Sequence, residues 1–126
     1  MTISLIASGT HGGGFGGPRP CGGPGVDVSA YSTLRLTLES TSANAAAFTT
    51  STRAHLEVWL ETSSDNTTWT HLHDFEPITT AAATRRVVLS TFDKYVRVGW
   101  HAWSMDAAVE HCFVWSLTGD AIPSGA

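Results

Sequence analysis

The chain has 126 residues, 42% of them hydrophobic and only 14% charged, with a formal net charge of −4. That length fits one domain able to bury a core without metal or disulfide staples. The acidic balance, with Arg85-Arg86 as the only adjacent basic pair, excludes a nucleic-acid partner, whose binding needs clustered cations to displace counterions; no apolar run nears the roughly 18 residues of a membrane span, so no membrane partner is expected.

Met1 to Ile6 carries no Lys or Arg and too short an apolar stretch for a secretory signal, so synthesis and retention in the cytoplasm are expected. Thr2 to Ala7 alternates weakly and reads as a short strand, suited to a sheet edge. Gly9 to Gly25 then holds nine of the twelve glycines. Gly and Pro both disfavour helix and sheet interiors, so this stretch reads as a pliable, extended arm. Two readings stand for it: a plain linker, or an arm that becomes ordered across a neighbouring subunit. Phe15, Pro18, Arg19 and Pro20 are its candidate anchors. Cys21 and Cys112 are too few and too far apart to form a disulfide framework. The plain reading is one thiol in a loop and one packed in a sheet; the alternative is a single disulfide tying the Gly-rich segment to the late strand.

From Val26 onward the pattern is strand after strand. Thr33 to Glu39 alternates with Leu34, Leu36 and Leu38 on one face. Ser40 to Ser51 is small and polar and reads as a loop. Ala54 to Thr62 places Leu56, Val58 and Leu60 inward and His55, Glu57, Trp59 and Glu61 outward. Ser63 to Thr68 is a turn, with Asp65-Asn66 suited to left-handed backbone. Trp69 to Phe75 is the return strand, and Pro77 with Thr79 to Thr84 makes a loop. Arg86 to Leu89, Tyr95 to His101 and Cys112 to Thr118 complete the set, with Val96, Val98, Trp100, Phe113, Trp115 and Leu117 inward. No stretch carries a 3.6-residue period. The expected fold is all-β: an antiparallel sandwich or jelly roll of about seven to eight strands, built from an arm over residues 1–25, a sandwich over 26–120 and a surface tail over 121–126.

Catalytic patterns are missing. The glycines at 12–17 are followed by neither a Lys-Ser/Thr pair nor an amphipathic helix, so they offer no phosphate site. No Ser occupies a nucleophile elbow. Glu57 and Glu61, four residues apart on a strand, would stand about 13 Å from each other, too far for paired-acid glycoside chemistry. Thus no catalytic residue, cofactor or enzymatic activity is expected. His71 and His73, at i and i+2, would share a strand face about 7 Å apart. They form a weak candidate metal pair, with His55 as a possible third ligand across the hairpin and no Cys or acid to complete a set. Trp59 on an outward face and Trp103 near a loop are candidate contact residues, for a protein neighbour or for a sugar ring. Lys94 is the only lysine, as suits a surface largely covered in an assembly.

The motifs of the second half also carry a resemblance. Ser63-Ser64-Asp65-Asn66-Thr67-Thr68-Trp69, then Tyr95-Val96-Arg97-Val98, then Phe113 to Gly119 with Ser116 between, resemble the order seen in small β-sandwich virion proteins of tailed bacteriophages. Those have Gly where Asn66 stands, a difference that matters little if the turn is type I′. A weaker similarity is to discoidin-like carbohydrate-binding domains. The phage resemblance implies a structural virion protein, foremost a head decoration (cement) protein. It would sit on the capsid surface, braced against the major capsid protein and copies of itself as a homotrimer. On this reading Thr2 to Ala7 pairs with a neighbouring subunit or the shell. A carbohydrate-binding module and a tail or neck component are the alternatives.

Overall fold

The computed structural model describes residues 2–10, 21–22, 25–42, 55–80, 82–103 and 113–124. They form β1 (Thr2–Thr10), β2 (Cys21–Gly22), β3 (Val26–Asp27), β4 (Tyr31–Ser42), β5 (His55–Ser63), β6 (Thr70–Asp74), β7 (Ala82–Leu89), β8 (Tyr95–Trp103) and β9 (Phe113–Pro123). Two antiparallel sheets result. One runs β1-β9-β4-β7; in the other, β8 pairs β2 and β3 on one side and β5 on the other, with β6 beyond β5. The chain changes sheet at most connections, and only the β2–β3 step and the β5–β6 hairpin stay within one. With β2 and β3 sharing a position, this is the two-sheet arrangement of a jelly roll. The all-β sandwich expected from the alternation is what the chain adopts.

The alternation explains the core. Leu34, Leu36 and Leu38 of β4 face Leu56, Val58 and Leu60 of β5, Val96 and Val98 of β8, and Trp115 and Leu117 of β9, all buried. Trp100 and Trp115, one from each sheet, meet edge to face with centroids 5.3 Å apart. Such a contact contributes about 0.5–1.5 kcal/mol beyond its area. One buried polar group fixes a corner: the Thr62 hydroxyl donates to the Tyr95 carbonyl at 2.9 Å and accepts the Asp93 N–H at 2.8 Å.

Several boundaries differ from the sequence reading. Ser40 to Ser42 extends β4, Ala82 to Thr84 opens β7, and Ala121 to Pro123 continues β9. These small residues show no alternation of their own, yet each lies opposite a partner: Ser40 with Ala83, Thr41 with Ala82, Leu34 with Ala121. Cross-strand pairing outweighs weak intrinsic preference. Ala121 is buried, so the tail begins after Pro123 and not at residue 121. β1 pairs with β9 of its own chain, and Ile3 and Leu5 enter the core. That corrects the expectation that Thr2 to Ala7 pairs with a neighbour; what it leaves toward neighbours is its outer edge. Cys21-Gly22 pairs with Trp100 and Gly99, so the end of the Gly/Pro segment belongs to the sandwich.

Candidate interaction surface

The outward face of the β8-β5-β6 sheet gathers the polar and aromatic side chains that alternation sends away from the core. Across β5 and β8, Glu57 lies opposite His101, Trp59 opposite Gly99, and Glu61 opposite Arg97. Glu57 sits between two imidazoles, with His55 Nε2 and His101 Nδ1 each 3.9 Å from one of its carboxylate oxygens. Arg97 donates to Glu61 at 2.7 Å and lays its guanidinium 4.2 Å from the centre of the Trp69 ring. Glu61 is thereby held in an ion pair. Between these clusters the Trp59 indole rests on Gly99: a Cβ there would run into Nε1, Cε2 and Cζ2 of the indole. Gly99 is therefore the socket that lets this half-buried ring lie against the sheet.

Beside Trp59 the surface opens into a groove of about 370 Å³ lined by Glu57, Val58, Trp59, Asp74, Phe75 and Pro77. Its origin is local. Phe75 bonds back to Val58, and Ile78 bridges Leu56 through both backbone groups. Three residues of one strand thus span two of the other, and the extra one swings Glu76-Pro77 outward. The result is an aromatic wall and two exposed carboxylates over an apolar floor.

A second bulge undoes the histidine pair. Leu60 pairs with His73 and Glu61 with His71, so Leu72 is inserted without a partner. The insertion reverses the side-chain phase. His71 lies outward with Glu61, its Nε2 3.4 Å from Asp74 Oδ2, while His73 turns to the side of Leu60 and meets Phe75 edge to face at 4.9 Å. His55 lies opposite Trp103 on β8, away from both. The i, i+2 rule fails wherever an extra residue enters a strand. Among the described residues no cluster of three His, Cys, Asp or Glu is placed to hold a metal.

No family model and no curated protein matches this chain. What can be said of its function rests on its own residues.

Of the sequence candidates, Trp59 lies on the surface described above. Trp103 is the last residue of β8, paired with His55. Phe15, Pro18, Arg19 and Pro20, along with Cys112, lie outside the described residues. The groove lined by Asp74 and Pro77 went unread, although a Pro just after a strand pattern signals a bulge or an edge. An isolated Gly99 inside an alternating strand likewise signals close approach by a large neighbour. Two of the three resemblance motifs are neighbours in space, since the turn's Trp69 stacks on the Arg97 of Tyr95-Val96-Arg97-Val98. Asn66 is the described non-glycine residue at positive φ, 62°. A type I′ turn needs two such positions, so the turn is of another kind, closed by side chains: Ser63 Oγ accepts the Asn66 N–H at 2.9 Å and Asp65 accepts those of Thr67 and Thr68 at 2.9 and 2.8 Å.

Proposed function

We propose that this chain is a structural virion protein of a tailed bacteriophage that decorates the outer capsid surface, bound to the major capsid protein and to copies of itself as a homotrimer. The observation that supports it most is the outer face of the β1-β9-β4-β7 sheet. Alternation and register bring Ser4, Thr118, Thr37 and Arg86 into one row and Thr2, Asp120, Arg35 and Val88 into the next. Such a face is broad, hydroxyl-rich and free of lysine, and lysine is depleted where proteins bury surface against one another. The motif order shared with phage β-sandwich virion proteins points the same way, and jelly rolls recur in viral shells. Fold alone assigns no function, so the reading rests on the surface and the motifs together. Co-sedimentation tests it: the purified chain should pellet with shells assembled without it, and a chain that stays in the supernatant refutes the reading.

The groove favours a second reading, a carbohydrate-binding module. Trp59 offers a ring for stacking, and Glu57 and Asp74 offer acceptors for sugar hydroxyls. Glycan-array binding that disappears on Trp59→Ala would support that reading over decoration.

A further inference from the structure

The two sheets end in four edges, and three of them are blunted. β6 carries the Leu72 bulge and leads into Pro77, which has no N–H to offer. β1 shifts register at two places along its pairing with β9. β2 and β3 are two residues each. β7 differs: its eight residues pair with β4 from Ala82 to Leu89 without a single shift. Its other edge has no backbone partner among the described residues. A regular, uncovered edge is a template for another strand unless something blocks it.

An inward charge is one common block, and Arg85 does turn inward. Its guanidinium, however, reaches the Glu76 and Pro77 carbonyls, each at 3.4 Å, and closes the mouth of the sandwich. The same side chain also donates to the Thr84 carbonyl at 3.3 Å, and the Thr80 hydroxyl donates to that of Ala82 at 2.9 Å, so the stretch of β7 whose carbonyls carry no such bond among the described residues runs from Arg85 to Leu89. On the outer face Val88 is 65% exposed, the exposed large hydrophobic residue among those described. Arg86 lies two residues away on the same face, and Arg35 lies opposite Val88 on β4. Neither arginine forms an ion pair among the described residues. β7 itself carries Arg85 and Arg86 and no acid, while Glu39 and Asp120 balance the face behind it, opposite Thr84 and Arg35.

We infer that β7 is the edge to which an extended segment of the partner shell protein adds as a further strand, with an apolar side chain beside Val88 and a carboxylate, two residues along, beside Arg86. This rests on the shell-binding reading and names its contact. A second copy of β7 is disfavoured as the occupant, because two-fold antiparallel pairing through the strand centre sets Arg85-Arg86 against Arg85-Arg86, and like charges directly opposite destabilise a ladder. A carboxylate-bearing strand meets that charge instead, and backbone bonds supply affinity while alternate side chains supply choice.

The test is hydrogen exchange on the full chain, free and bound to shells assembled without it, together with Arg86→Glu and Arg86→Lys. On attachment the amides of β7 that face its open edge should slow by about tenfold or more while those of β6 do not change. Arg86→Glu should weaken attachment by about tenfold and Arg86→Lys by much less; Arg86 is exposed, and circular dichroism confirms that both variants fold. Wild-type chain that fails to attach removes the shell-binding reading, and this inference with it. Attachment with β7 still exchanging freely removes the inference alone. Protection of β7 that grows with the concentration of free chain makes a second copy the occupant and also removes it.

Discussion

Gly99→Ala is the sharpest probe of the Trp59 surface. The new methyl would occupy space held by Nε1, Cε2 and Cζ2 of the Trp59 indole, and a rigid bicyclic ring has no flexible end that yields. Either the indole swings off the sheet or β8 shifts against β5, and overpacking of this kind costs about 1–3 kcal/mol. In a Trp59→Ala background the obstruction is gone. The same substitution then gains roughly 0.5–1 kcal/mol, because Gly in a strand carries an entropic penalty relative to Ala. The double-mutant cycle should therefore show a coupling of about 1.5–4 kcal/mol with a change of sign. Urea unfolding of the four proteins, followed by far-ultraviolet circular dichroism, measures it; in thermal melts each kcal/mol corresponds to about 4 °C for a domain of this length. Equal costs of Gly99→Ala in the two backgrounds would refute the socket.

Three further outcomes follow from the fold. Thr62→Val keeps the side-chain shape but strips the Asp93 N–H and the Tyr95 carbonyl of their shared partner, so it should cost about 1–3 kcal/mol in chemical denaturation. Asp65 is held down to about 2 from 3.8, first by the Thr68 and Thr67 N–H groups and then by the Ser63 hydroxyl. Since its folded value is the lower one, its contribution is complete above about 3.8 and is lost as pH falls through about 2; acid melting curves should decline over that window in the wild type and less steeply in Asp65→Asn. Deletion of residues 1–10 removes Ile3 and Leu5 from the core, at about 1.5–3 kcal/mol each, and should lower the urea midpoint; an unchanged midpoint would mean that β1 adds nothing to the sandwich.

The sequence made the inward leucines, valines and tryptophans legible because period-2 alternation records which face a strand buries. It did not show where small-residue runs become strands, since the pairing of Ala82 and Ala83 with Thr41 and Ser40 is decided by β4 and not by the residues themselves. Nor did it show the bulges. One inserted residue, Leu72, sends His71 and His73 to opposite sides, and no local pattern announces it. Trp59 was legible as an outward ring, whereas its seat on Gly99 and the groove edged by Asp74 and Pro77 depend on cross-strand register. The Tyr95-Val96-Arg97-Val98 and Ser63-to-Trp69 motifs owe their joint presence in part to a structural cause. Arg97 bridges Glu61 and Trp69, so each motif supports the packing of the other.

Electron cryomicroscopy of purified phage particles tests the decoration role most directly. A shell bearing density for this two-sheet domain on its outer surface, with β7 against an extended segment of the capsid protein, is the expected result. A bare shell on particles made with this chain present would contradict it.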